Sequence, residues 1–189
     1  MEKYLKLNKQ EFIKADYKLV ALRYKDRYQI MEWRNEQMYH LRQTKKLTKI
    51  DQDNYFNKHV KSFYASENPS NILFSFLHKD ILIGYGGLVH IDWKNMKTEI
   101  SFLLNTKIKQ DKIKYSVSFK SFLDLIKKVS FEELKLNKIF SETYSFRTNQ
   151  IKELEKNGFV LEGTHRENVC IDSDTFYDSI FHSILKKDS

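Results

Sequence analysis

At 189 residues, with 41% hydrophobic and 14% aromatic side chains, the chain carries the apolar material of one packed domain, more than a disordered segment would hold. The net charge of +8 invites anionic partners, yet lysine and arginine are spread along the chain, with local groups at residues 42–49, 107–114 and 127–128. The single-face stripe of a nucleic-acid binder is missing, so neither nucleic acid nor a membrane is the expected partner. One cysteine, Cys170, excludes an internal disulfide framework and fits a reducing compartment. Residues 1–10 lack the apolar core of a signal peptide and no run is long enough to span a bilayer, which leaves a cytoplasmic protein as the expectation.

Residues 1–16 show no clear periodicity and read as a first strand or an arm, and residues 17–23 as the first convincing strand. Asp26 is placed to cap a helix through Glu36 that buries Ile30, Met31 and Trp33. Thr48 and Asp51, three apart, predict a capping box for a helix carrying Tyr55, Phe56, Val60, Phe63 and Tyr64, which stops before Pro69. Residues 71–77 and 81–93 are predicted strands joined by the polar turn His78-Lys79-Asp80. The second strand is nearly all apolar, as a central strand covered on both faces would be. Its Gly84, Gly86 and Gly87 lie inside a strand pattern and predict a bulge or close backbone approach, not a phosphate loop.

After the turn Lys94-Asn95-Met96, a strand is predicted at 98–104, then a basic connector at 105–114. A helix follows at 115–134, where Phe119, Phe122, Leu123, Ile126 and Val129 recur at three-and-four spacing. A strand at 138–144 and a helix at 149–157 come next, the helix closed by Gly158, the residue suited to a left-handed terminus. Strands at 159–171 and 175–185 flank the turn Asp172-Ser173-Asp174, and residues 186–189 are expected to fray.

The run from 97 to 159, with Arg147-Thr148-Asn149 and Glu155-Lys156-Asn157-Gly158-Phe159, resembles the GNAT superfamily of acyl-CoA-dependent N-acetyltransferases. The resemblance implies an α/β (α+β) fold over a single domain spanning 1–189: a mixed, largely antiparallel sheet flanked by helices. It implies acetyl-CoA as co-substrate and direct transfer of acetyl to a primary amine, with no covalent enzyme intermediate. The pantetheine arm would be held by the main chain of Phe102, Leu103 and Leu104 and by the amide of Asn149. The diphosphate would be held by the loop aligned with Gln110-Asp111-Lys112-Ile113-Lys114-Tyr115. There this chain departs from the family, because Ile113 and Tyr115 stand where glycines let main-chain N–H groups approach a phosphate. Two readings stay open: the helix start attracts phosphate with help from Lys107, Lys109, Lys112 and Lys114, or these lysines are a solvated loop and binding is weakened.

Transfer to an amine requires a proton acceptor. Glu99 is the first candidate, because the family often carries a functional glutamate on this strand. His90 is the second, an imidazole being suited to proton transfer near neutral pH. The ordinary alternatives are a salt-bridged glutamate and a satisfied structural histidine. Where the family's last helix carries a tyrosine that protonates the departing thiolate, this chain has Leu154, which leaves Tyr144 as substitute or an unassisted thiolate.

Trp33-Arg34-Asn35 with Arg42 resembles the opening of the branch that acetylates nucleotide-linked amino sugars, and occurs near the ribosomal-protein-alanine acetyltransferases. It implies Arg34 or Arg42 on an acceptor diphosphate or carboxylate, which a guanidinium fork matches, against an internal ion pair. Tyr39, His40 and Tyr55 would border the same site. The six histidines lack paired ligand spacing, so no metal is expected. The expected small-molecule amine acceptor is a nucleotide-linked deoxy amino sugar for a surface polysaccharide. A protein N-terminus and a non-catalytic acyl-CoA-binding or interaction domain are the alternatives, and a homodimer is compatible with all three.

Overall fold

The computed structural model describes residues 2–172 and 174–189. Within them the strands β1 (Glu11–Lys14), β2 (Tyr17–Ala21), β3 (Ile72–His78), β4 (Ile81–Asp92), β5 (Lys97–Leu104), β6 (Lys138–Tyr144), β7 (Val160–Asp172) and β8 (Thr175–Leu185) form one sheet, ordered β1-β2-β3-β4-β5-β6-β8-β7. Every neighbouring pair is antiparallel except β5 and β6. The helices are α1 (Arg27–Glu36), α2 (Lys49–Tyr55), α3 (Lys61–Ala65), α4 (Thr106–Gln110), α5 (Lys112–Lys127) and α6 (Thr148–Lys156). This is the mixed, largely antiparallel sheet with flanking helices that the sequence implies.

The local signals act as their chemistry dictates. Lys79 and Asp80 have φ of +50° and +62°, a two-residue turn whose twist matches that of the strands it joins. Thr48 Oγ1 accepts from the Asp51 N–H at 3.2 Å while the Asp51 carboxylate accepts from the Thr48 N–H at 2.8 Å, and the helix so started continues through a π-helical turn, Phe56–Val60, into α3. A Cβ on Gly86 would stand 2.1 Å from the Ser101 carbonyl oxygen, so only glycine lets β4 and β5 close there. Phe119, Phe122, Leu123, Ile126 and Val129 are wholly buried between the α5 side and the sheet, each contributing roughly 1.5–3 kcal/mol of transfer free energy. A second apolar layer, with Ile30, Trp33, Phe56 and Val60, covers the opposite face.

Three local expectations are corrected. The connector at 105–114 is helical over α4, capped by the Asn105 side chain, and α5 begins at Lys112 instead of 115, because the Asp111 carboxylate accepts from the Ile113 and Lys114 N–H groups. Asp26 occupies the cap position of α1 without capping it, since Arg23 Nε at 2.6 Å and Ser75 Oγ at 2.6 Å hold its carboxylate. Residues Lys186–Asp188 form a short helical turn. The first residues are an anchored arm: the buried Tyr4 hydroxyl donates to the Leu73 carbonyl and accepts from its N–H, both at 2.8 Å. Of the predicted turn Asp172-Ser173-Asp174, Ser173 lies outside the described residues.

What positions the site is the parallel pair. β5 and β6 pair only at Lys97↔Lys138, Thr98↔Ile139 and Glu99↔Phe140. Beyond Glu99, β5 stays with β4 as far as Leu104, and β6 stays with β8 as far as Tyr144. The two strands therefore part, and the β6-facing main chain of residues 100–104 has no ladder partner.

Candidate active site

A cavity of about 280 Å³ opens where β5 and β6 separate, and Arg34, Arg42, His90, Glu99, Glu142 and Tyr144 are among the residues lining it. Glu99 is the last residue of β5 paired with β6, with its side chain only 13% exposed. Its Oε2 lies 3.0 Å from His90 Nδ1, and its Oε1 accepts from Arg42 Nη2 at 3.3 Å. A carboxylate only accepts, so the imidazole proton sits on Nδ1 and the Nε2 lone pair is free to take another. His90 reaches this position because β4 bulges between Val89 and Asp92 and His90 takes a left-handed φ of +51°, held by the Asn71 side chain on its N–H at 3.0 Å.

Glu142 lines the same cavity and is a candidate that the sequence does not single out. One oxygen accepts from Ser179 Oγ at 2.6 Å and from Asn168 Nδ2 at 3.4 Å, and the other accepts from Arg42. Arg42 thus bridges Glu99 and Glu142 while staying half exposed. The only sequence signal was period two, which puts Glu142 on the same face of β6 as Tyr144. Tyr144 is buried against the cavity, whereas Leu154 is wholly buried in the core and takes no part in the cleft.

Arg34 donates to Gln43 Oε1 at 3.0 Å and to the Tyr85 hydroxyl at 2.5 Å, and among the described residues no carboxylate pairs with it. Trp33 is core, and Asn35 knits the loop that carries Arg42 by bonding Leu47 N–H, Leu47 C=O and Gln43 Nε2. Across the cavity the formal charges are three guanidiniums, on Arg34, Arg42 and Arg147, against the two carboxylates of Glu99 and Glu142. Among the described residues no group of histidine, cysteine and acidic side chains could hold a metal ion, and no helix is long and apolar enough to cross a membrane.

On the carrier side, the Phe102 ring stacks on Phe119 with centroids 4.9 Å apart, and Leu103 and Leu104 are buried, so β5 turns its main chain to the cleft. One carbonyl there, that of Leu104, already accepts from Gln37 Nε2 at 2.8 Å. Asn149 is exposed beside a second cavity of about 160 Å³, shared with Tyr39, Lys109, Tyr115, Arg147 and Gln150, the last two of which also line the first. Gln110 ends α4, while Asp111, Lys112, Ile113, Lys114 and Tyr115 form the cap and first turn of α5. The splayed strands fit a pantetheine arm; the helix start does not form the open main-chain cradle expected of a phosphate loop.

An open mixed sheet whose one parallel pair splays beside a carboxylate and an imidazole is the architecture of an acyltransferase that works on a thioester carrier. A family model described as the acetyltransferase (GNAT) domain matches residues 19–181, and the chain belongs to that family: it is an acetyl-CoA-dependent N-acetyltransferase of the GNAT type. Its structure is similar to spermidine N-acetyltransferase from Vibrio cholerae in complex with CoA and spermine, with a TM-score of 0.78 and 21% identity over 93% of this chain and 98% of that one. It is also similar to a GNAT-family acetyltransferase from Bacillus anthracis, with a TM-score of 0.70 and 20% identity over 94% of this chain and 99% of the other. At such identities the likeness is one of fold. A search of curated protein sequences gives no match.

Proposed function

We propose that the acceptor is a primary amine on an anionic molecule, of the kind presented by a nucleotide-linked deoxy amino sugar. The observation that carries this is Arg34, a guanidinium at the cavity wall bonded only to neutral groups, in a site where guanidiniums outnumber carboxylates. A site for a polycation would need the reverse balance.

In the reaction, Glu99 and His90 act together. Glu99 fixes the imidazole through Nδ1, and Nε2 takes the proton that the acceptor ammonium must lose. The freed amine attacks the thioester carbonyl, the C–N bond forms as the C–S bond breaks, and the nitrogen sheds its second proton to solvent. The thiolate leaves toward the Tyr144 side of the cleft, takes its proton from the phenol, and the phenol is reprotonated from solvent. Arg34 orients the acceptor through its anionic group.

A polyamine acceptor is the second reading, prompted by the spermine in the Vibrio cholerae neighbour and by Glu99 and Glu142, which together face a single cation. A protein N-terminal amine is the third. Acetyl-CoA-dependent thiol release, measured with nucleoside-diphosphate amino sugars, spermidine and alanine-initiated peptides, separates them. The expected result is the highest kcat/KM for a nucleoside-diphosphate amino sugar; turnover confined to spermidine or to the peptides would overturn the proposal.

A further inference from the structure

The second cavity poses a charge problem that the transfer chemistry does not use. Lys109 Nζ donates to the Tyr39 hydroxyl and to His40 Nε2, both at 2.7 Å, and Arg147 lines the same cavity from the turn between β6 and α6. Among the described residues no carboxylate pairs with either cation. Burial, then the Arg147 charge, pushes Lys109 down to about 8; burial, then Arg147 and Lys109, pushes His40 down to about 2, so His40 is neutral and accepts from the ammonium. Burial lowers Arg147 as well, and only tyrosines act against this. Two part-buried cations brought to one cavity, with no carboxylate among the described residues beside them, lack the anion that would complete them.

Buried polar atoms beside them also lack partners. Gln150 is 9% exposed and lines both cavities, its unbonded Oε1 an acceptor suited to an amide N–H of the carrier's arm, not to its phosphates; His40 is 5% exposed and lines the first, and with Nε2 accepting its unbonded Nδ1 is a donor. The start of α6, which opens on this cavity, carries no side-chain cap. The start of α5 is the opposite case. The Asp111 carboxylate takes the Ile113 and Lys114 N–H groups at 3.1 Å each and pairs with Lys114 Nζ at 3.3 Å, so that helix end is filled by an anion the chain supplies itself.

We propose that Lys109 and Arg147 form the diphosphate seat of the acyl carrier, flanked by the Tyr39 and Tyr115 hydroxyls, and that these two side-chain cations replace the main-chain cradle lost with the glycines. A diphosphate ester brings two negative charges to two cations. His40 is a positioning residue: it holds the Lys109 ammonium by accepting from it. The seat adjoins the transfer cavity through Arg147 and Gln150, so an arm leaving it enters the cleft between β5 and β6 directly. The inference rests on acetyl-CoA dependence; it assigns Arg147 to the carrier and leaves Arg34 as the cation for the acceptor.

Calorimetric titration of the full chain with CoA, and with pantetheine as a probe that lacks the diphosphate, tests it without any acceptor. Lys109→Gln and Arg147→Gln should each weaken CoA binding by about tenfold to a hundredfold and leave pantetheine binding unchanged, as loss of one charge-assisted contact predicts. Lys112→Gln and Lys114→Gln should change CoA affinity by less than about threefold, being exposed charges screened by solvent. On the unaltered protein, inorganic pyrophosphate should compete with CoA and not with pantetheine, which keeps the test valid should either variant fold poorly. A larger loss from Lys112→Gln or Lys114→Gln than from Lys109→Gln and Arg147→Gln, or pyrophosphate that does not displace CoA, would overturn the assignment.

Discussion

Replacing Glu99 with glutamine changes one oxygen and leaves the shape of the side chain, so its effect is one of proton chemistry. In the native arrangement Oε2 receives the His90 Nδ1 proton at 3.0 Å, which leaves Nε2 as the accepting nitrogen. In Glu99→Gln an amide turned to give Arg42 its carbonyl must present NH₂ to the imidazole. The ring then relaxes to the tautomer with Nδ1 bare and Nε2 protonated, and it can no longer take the acceptor's proton. Removal of a positioned general base costs about 10² to 10⁴ in kcat, and a wrong tautomer belongs at the upper end of that range. CoA affinity should be unchanged, because Glu99 lies at the transfer end of the cleft. The assay is acceptor-dependent thiol release with saturating acetyl-CoA, in Glu99→Gln, His90→Ala and the double variant. If the two residues act as one unit, the double variant is no slower than the slower single. Turnover of Glu99→Gln within about threefold of the unaltered enzyme would remove Glu99 from proton transfer.

Arg34→Ala should raise the KM for an anionic acceptor by about tenfold or more, with kcat and CoA affinity little changed, since it removes charge-assisted contacts made equally to ground and transition states. Lys109 sets a pH signature for stability. Its folded value is lowered to about 8 from 10.5 by burial and then by the Arg147 charge, with Tyr39 and His40 bonded to it and Tyr115 lining the same cavity, so between those values the unfolded chain binds the extra proton and stability rises with pH. The melting temperature of the ligand-free protein should therefore rise more from pH 8 to pH 10 than that of Lys109→Gln, and saturating CoA should erase the difference. Phe122→Ala opens a cavity in a layer where Phe122 is wholly buried and its ring centroid lies 4.4 Å from that of Phe102, so denaturant titration should show a loss of about 3–5 kcal/mol.

What the sequence made legible was whatever depends on neighbours a few positions away. The Thr48–Asp51 capping box, the Lys79-Asp80 turn, β6 at Lys138–Tyr144 and the left-handed Gly158 at the end of α6 are short-range devices, and they form as expected. Asp111 is equally local: its alignment with a phosphate loop masks the plainer signal of an aspartate at a helix start, where it caps α5.

The remainder depended on pairs far apart in the chain. Glu142 becomes a candidate only because Ser179 and Asn168 hold one of its oxygens while Arg42, 100 residues away in sequence, reaches the other. Lys109 could not be distinguished from Lys107, Lys112 and Lys114 until the fold placed Tyr39, His40 and Arg147 around it. Glu99 and His90 each stand out singly in the sequence, but their contact depends on a β4 bulge that no residue type announces.

The most direct measurement is a crystal structure with CoA bound. The pantetheine arm should lie between β5 and β6, hydrogen-bonded to the main chain of Phe102 to Leu104, with the diphosphate between the Lys109 and Arg147 side chains. A carrier lying outside that cleft, or a diphosphate resting on the first turn of α5 with the Asp111 carboxylate displaced, would contradict this placement.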